Sequence, residues 1–193
     1  MTSPDLLILR HGETEWNLQG RMQGARNSPL TQRGVAQAEA QGRLLSRFGI
    51  DDWDLWCSPQ GRARDTARIA LGLRAKAVRT DGRLAEIRMG AWTGARRRTI
   101  AAACPDLFEN DTDMVWYDHA PGGEGLEALY ARTGAFLADL ARPSVVFTHG
   151  ITSRMLRCHA LGLAPGAFAD LPGGQGVVYH LSQGVQTCLS EGA

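Results

Sequence analysis

Cysteine is scarce. Its four copies, Cys57, Cys104, Cys158 and Cys188, are scattered along 193 residues with no CxxC pair. That spacing fits neither a zinc ribbon nor a small disulfide scaffold, and it reads as reduced, mostly buried thiols. Long apolar runs are missing too: none approaches the ~18 residues of a membrane-spanning helix. Nor does charge of one sign prevail. Lys plus Arg number 21 and Asp plus Glu 20, a formal +1, so no global field recruits nucleic acid or an anionic membrane, and any attraction for anions must be local. The opening MTSPDLLILRHG carries no basic leader and only a short apolar run before charge, so no secretory signal is expected and the protein is placed in the cytoplasm. Neither GxGxxG nor GxxxxGK occurs, which removes the common glycine-rich nucleotide loops.

What is present suits one globular domain spanning residues 1–193: 44% of residues are hydrophobic and 21% charged, near the globular average. Short apolar runs alternate with segments of helical period, which argues for an α/β domain with a mostly parallel sheet. The expected strands are Asp5 to Arg10, Trp53 to Cys57, Lys76 to Arg79, Ser144 to Thr148, Gly176 to Leu181 and Val185 to Leu189, the last two joined by a hairpin turn at SerGlnGly. Thr31 can cap a helix whose apolar face is Val35, Ala38, Leu45 and Phe48. Further helices are expected over Arg62 to Leu73, from Leu126 through Leu140, and over Gly150 to Leu163. Residues 80–125 read as an irregular excursion with one short helix stopped near Pro105.

Arg10 and His11 come directly at the end of the first strand, Thr148 and His149 end another, and Arg62 follows the second strand after a short turn. In open α/β sheets ligands bind beyond the carboxyl ends of strands, so three strand ends deliver two histidines and two arginines to one side. Such a cluster suits a phosphate. Guanidinium forks bind phosphoryl oxygens bidentately, and a neutral imidazole in line with phosphorus can take the group covalently. Spacing alone does not say which histidine is the nucleophile.

LeuArgHisGlyGluThrGluTrpAsn at 9 to 17 resembles the signature of the histidine phosphatase superfamily, the phosphoglycerate mutase-like proteins. Five further blocks are similar in order: residues 29 to 38; SerPro at 58 to 59 with ArgAlaArgAspThrAla at 62 to 67; LeuAlaGluIle with Gly90, Trp92 and Gly94; ProGlyGlyGlu at 121 to 124; and ThrHisGly at 148 to 150. The resemblance implies a three-layer α/β/α sandwich. It makes His11 the phosphohistidine nucleophile, with Arg10, Arg62 and His149 holding phosphoryl oxygens and Asn17 adding an amide contact. Glu86 becomes the proton donor to the leaving group, a sensible role because an alkoxide leaves poorly unless protonated. No metal or other cofactor is implied.

Two departures bear on substrate contacts, Thr93 where the family often has Glu and Gly125 where Ser often follows GlyGlyGlu. Arg96 to Arg98 reads as a solvated helix face before a second anion site, Glu13 supports the site from behind, and Trp16, Met22, Trp92, Trp116 and Tyr117 are candidates for the leaving-group side. His119, His159 and His180 show no metal spacing. Mutases of the family carry a long insertion before the GlyGlyGlu block that this chain lacks. The expectation is therefore a metal-independent phosphomonoesterase acting on a small phosphorylated metabolite, similar to the broad-specificity and α-ribazole phosphatases. A mutase or a non-catalytic phospho-ligand binder is the alternative, and near-neutral charge leaves a homodimer open.

Overall fold

The structure, a computed structural model, describes residues 4–109 and 114–191. Its central strand is β1 (Leu6–Arg10), LLILR, whose first four residues are fully buried. Alternate residues serve opposite faces. Leu7 and Leu9 join a cluster with Leu44 and Leu45 of α2 (Gln32–Leu45) and Ala63, Ala67 and Leu71 of α3 (Gly61–Leu71). Leu6 and Ile8 join another with Phe136 of α5 (Leu126–Ala138) and Leu156 of α6 (Gly150–Ala160). A strand covered on both faces has to be apolar at every position, hence the continuous run instead of an alternating one.

Six strands run in the order β3-β2-β4-β1-β5-β6. β2 (Asp54–Cys57) pairs in parallel with β3 (Arg79–Thr80) and with β4 (Ser144–Thr148), which pairs in parallel with β1. β5 (Val178–Ser182) runs antiparallel to β1, and β6 (Val185–Leu189) antiparallel to β5. The result is the expected three-layer arrangement, with an antiparallel hairpin on one side of a parallel core. That hairpin closes through Gln183 and Gly184 at φ 51° and 77°, a two-residue turn that matches the right-handed twist of its strands.

Thr31 does cap α2, its hydroxyl accepting from the Gly34 amide at 3.0 Å. Several boundaries differ from the periodicity. Val35 lies on the outer side of α2, 37% exposed, because the buried stripe runs through Ala38, Gln41, Leu44 and Leu45. α3 stops at Leu71, where Gly72 takes φ 55° and leaves Leu73 exposed, and α5 and α6 end at Ala138 and Ala160, short of Leu140 and Leu163. Lys76 belongs to a 3-10 segment, Gly72–Ala77, so β3 begins only at Arg79. The remaining two α-helices among the described residues are α1 (Glu15–Leu18) and α4 (Arg97–Ala103), the latter the short helix expected before Pro105. Around α4, the described part of 80–125 is turns and 3-10 segments, and residues 110–113 lie outside the described residues. Its two limbs meet at Gly90, where φ is 44° and a Cβ would sit 2.1 Å from the Pro121 carbonyl oxygen.

The strand register places the site. Arg10 is level with Thr148, and Cys57 with Phe147. One residue further, the His11 amide donates to the Thr148 carbonyl at 3.0 Å and the Ser58 amide to the Phe147 carbonyl at 2.9 Å. His11, Ser58 and His149 thus leave three adjacent strands at one level.

Candidate active site

His11 and His149 are 2% and 0% exposed, with ring centroids 5.2 Å apart. Nδ1 of His11 lies 2.7 Å from its neighbour's carbonyl at Gly12, so that nitrogen carries the proton. Arg62 Nε donates to His11 Nε2 at 3.2 Å, so the lone pair is on Nε2. Burial, then the charges of Arg10 and Arg62, hold this imidazole well below the ordinary histidine value of 6.5. It is neutral at pH 7, with its lone pair on Nε2.

His149 is set the other way round. Ser58 Oγ accepts from the Gln60 amide at 3.3 Å and lies 2.7 Å from His149 Nε2, and we assign the serine proton to that nitrogen. That leaves the proton of His149 on Nδ1, which is buried and has no partner among the described residues. A donor so placed suits a phosphoryl oxygen. Burial, then Arg62, hold His149 well below 6.5 as well.

Arg62 is 1% exposed, and desolvation lowers its pKa to about 10, so it stays a cation at neutral pH. Its fork is held by the carbonyls of Arg26 at 2.7 Å and Gly24 at 3.1 Å. Arg10 Nε is buried and unpartnered among the described residues, and a Cβ at Gly150 would come within 3.3 Å of its guanidinium carbon. Asn17 accepts at Oδ1 from the Thr14 amide, the Thr14 hydroxyl and Gln175 Nε2, at 3.0 to 3.2 Å. Its amide nitrogen is therefore the atom turned to a ligand. Glu86 Oε1 accepts from the Ile87 amide and from the Thr152 amide and hydroxyl at 3.0 to 3.1 Å, whereas Oε2 has, among the described residues, only the Ile151 amide at 3.3 Å. The free N–H groups at the start of α6 thus seat this carboxylate.

Arg10, His11, Asn17, Arg62 and Glu86 line one cavity of about 170 Å³, and Arg10 and Glu86 also line an adjoining one of about 350 Å³. All six residues singled out from the sequence are brought together. Among the aromatic and Met candidates, Met22 and Tyr117 line the first cavity and Trp116 and Tyr117 the second, whereas Trp16 and Trp92 line neither. Trp16 packs at Gly94, and Trp92 joins the buried cluster around Trp116. The arginine run splits: Arg98 is exposed, but Arg97 lines both cavities and stacks over Phe108 and Trp116. Glu13 accepts from Thr31 and pairs with Arg33, anchoring the start of α2.

Sequence reasoning missed Gln60. Its Oε1 accepts from Arg62 Nη2 at 3.0 Å and from the Glu86 amide at 3.1 Å, while Nε2 donates to the Gly24 carbonyl at 3.0 Å. One side chain so spans Arg62 and the segment carrying Glu86. Its place directly after SerPro was the available signal, but a glutamine in a turn is chemically silent until its partners are known.

Residues 6–188 match the family model described as "Histidine phosphatase superfamily (branch 1)". The chain belongs to the histidine phosphatase superfamily. An acid phosphatase of Mycobacterium tuberculosis is 36% identical over 174 residues, which are 86% of this chain and 81% of the relative. Phosphoserine phosphatase 1 of Hydrogenobacter thermophilus is 31% identical over 164 residues, 82% and 76% of the two chains. Among solved structures, a mycobacterial glucosyl-3-phosphoglycerate phosphatase in complex with VO3 superposes with a TM-score of 0.81 at 32% identity, covering 93% of each chain. This histidine phosphatase is accordingly an enzyme of the phosphoric monoester hydrolase class, on the fold of its phosphoglycerate mutase-like neighbours.

Proposed function

We propose that this histidine phosphatase is a metal-independent phosphomonoesterase that acts on a small phosphorylated metabolite through phosphohistidine at His11. The observation that carries the reading is the pairing of a buried, neutral His11, lone pair on Nε2, with Glu86 in the wall of the same cavity. His11 Nε2 attacks phosphorus, an N–P bond forms and the P–O ester bond breaks. Arg62 Nε, which now donates to Nε2, turns to a phosphoryl oxygen as the lone pair is engaged, joined by Arg10, His149 Nδ1–H and the Asn17 amide. The leaving oxygen takes a proton from Glu86, and Oε2, with its single long contact, is the oxygen open to that task. The resulting carboxylate then accepts a proton from water, whose oxygen attacks phosphorus and releases His11.

Charge on the transferring group is met by guanidinium forks, so the chemistry needs no cation. Release of p-nitrophenol from p-nitrophenyl phosphate in EDTA, wild type beside His11→Ala, tests activity, metal independence and nucleophile together. Turnover by wild type alone, with acid-labile phosphate on the protein after rapid quenching, is the expected result. Turnover that survives His11→Ala, or that EDTA abolishes and Mg²⁺ restores, overturns the mechanism. A cytoplasmic setting belongs to the same proposal and is supported by the four unpaired cysteines, of which Cys57 and Cys158 are buried. Among the described residues, no helix is long and apolar enough to cross a membrane.

A further inference from the structure

The ProGlyGlyGlu block at 121 to 124 lines neither cavity and takes no part in the mechanism above. What it touches is the segment that carries Glu86. After a 3-10 turn at Gly82–Leu84, residues 85–89 form neither helix nor strand, so their backbone groups must find partners in other elements. Arg132, on α5, supplies them by laying its guanidinium between one carboxylate and two carbonyls. One edge forks onto Glu124, Nε donating to Oε1 at 2.6 Å and Nη2 to Oε2 at 3.1 Å. The other edge donates from Nη2 to the Ala85 carbonyl at 2.7 Å and from Nη1 to the Arg83 carbonyl. Glu124 Oε2 in turn accepts from the Arg88 amide at 3.2 Å, and the Glu124 amide donates to the Arg88 carbonyl at 3.0 Å. The chain is thus gripped directly before Glu86, at Ala85, and two residues after it, at Arg88.

The grip is tight and largely dry. The side chains of Arg132 and Glu124 are 19% and 4% exposed. The turn that carries Glu124 is pressed backbone to backbone against the segment: a Cβ on Gly123 would lie 3.0 Å from the Arg88 carbonyl oxygen, and the Ala91 amide donates to the Pro121 carbonyl at 2.9 Å. Thr152, whose hydroxyl also donates to the Ala85 carbonyl at 2.8 Å, holds the same segment from the α6 side. A lysine in place of Arg132 could not do the same, because an ammonium lacks the planar fork that meets carboxylate and carbonyls at once.

We propose that Arg132 and Glu124 are positioning residues for proton transfer, fixing the backbone on both sides of Glu86 and so setting where its Oε2 stands relative to the leaving oxygen. This deepens the phosphomonoesterase reading and rests on its assignment of the acid to Glu86. A general acid works only within hydrogen-bond reach of the atom it protonates, and a displacement of ~1 Å is enough to lose that reach. Neither residue touches the reacting atoms.

A matched pair of esters separates proton donation from other effects. p-Nitrophenolate leaves phosphorus without a proton, whereas the alkoxide of p-nitrobenzyl phosphate, one methylene longer, needs one. For each ester kcat/KM reports the steps through departure of the alcohol, and any fraction of misfolded protein cancels in the ratio of the two. Arg132→Gln and Arg132→Lys are each expected to lower kcat/KM for the benzyl ester at least ~tenfold and for the phenyl ester less than ~threefold. Glu124→Gln should move the ratio the same way by less. Glu86→Gln should move it most, and Arg132→Gln added to Glu86→Gln should move it no further. Equal losses on both esters, no loss on either, or a bias that adds in full to that of Glu86→Gln overturns the proposal. The phosphatase reading is tested apart from it: a bias in Glu86→Gln that neither Arg132 variant shows removes the proposal alone. Glu86→Gln without a bias, or a wild type that turns over only the phenyl ester, removes the acid assignment and the proposal with it.

Discussion

Arg62 shows how a single buried cation is made useful. An unpaired guanidinium at 1% exposure would be costly, yet its donors are met by two carbonyls, by Gln60 and by the lone pair of His11. Each charge-assisted contact to a phosphoryl oxygen is worth ~1.5–3 kcal/mol, so Arg10→Ala and Arg62→Ala should each lower kcat/KM at least ~tenfold. Steady-state kinetics indistinguishable from wild type in either variant would refute the pocket. Gln60 touches no reacting atom and acts by position. Gln60→Ala releases Arg62 Nη2 and the Glu86 amide at once, and the expected cost is on the order of tenfold, chiefly in kcat, because acid and phosphate clamp lose their common brace. A rise in KM alone, with kcat intact, would show that Gln60 serves binding and not alignment.

Among the elements, the join between the β1 loop and α2 is the tightest. A Cβ on Gly12 would lie 2.2 Å from the Gly34 carbonyl oxygen, and one on Gly34 would lie 2.0 Å from the Glu13 carbonyl oxygen. Both obstacles are backbone, so neither can swing aside. Gly34→Ala should therefore cost roughly 1–3 kcal/mol in chemical denaturation, as overpacking does, and lower activity by shifting the loop that carries His11. Unchanged stability would mean that the loop and helix are less closely apposed. Sequence pattern recovered these elements unevenly. β1 and β4 were plain because burial on both faces demands unbroken apolar runs, and α2 was plain because Thr31 supplies a cap. β3 was misplaced: near the sheet's edge a two-residue strand pairs by backbone alone, and Lys76 to Arg79 has no side-chain pattern that separates it from a 3-10 turn. Val35 fits a helical period yet faces outward, since period specifies an arc and not which part of the arc meets the sheet.

For the molecule as a whole, the two site histidines bind folding to pH. Both are neutral in the folded state with pKa values well below 6.5, whereas the unfolded chain titrates near that ordinary value. Above pH 6.5 neither form holds the extra protons and the pair contributes nothing to the slope. Below it the unfolded chain takes them up first, so stability falls with pH, by up to about 1.4 kcal/mol per unit for each histidine. Glu124 acts in a lower window: burial pushes its pKa up, but Arg132 outweighs this and holds it below 4.5, so its contribution is lost only as pH falls beneath that value. Unfolding midpoints between pH 7.5 and 5.5 should decline in the wild type and decline less in His11→Asn and His149→Asn. Parallel curves for all three would show that other groups carry the dependence.

Residue types and their order were enough to name the family and to expect these groups together, because RHG, the arginine after SerPro and the second histidine each follow a strand, and strand ends of a parallel sheet lie on one side. Roles required contact. Which nitrogen of His11 keeps its lone pair depends on Gly12 and Arg62, the partner of His149 Nε2 is Ser58, and the seat of Glu86 depends on the first amides of α6, partners up to 91 residues away in the chain. The same holds for the arginines. Arg97 and Arg98 are adjacent and identical in type, but helix geometry turns one into the cavities and the other into water. Arg154 and Arg157 lie one turn apart on α6, and only packing against the 172 loop and β6 decides that Arg157 donates to Pro172 and Gln186 while Arg154 meets the Met114 sulfur. Sequence order specifies which groups arrive; the direction in which each one points is set by neighbours that only folding brings near.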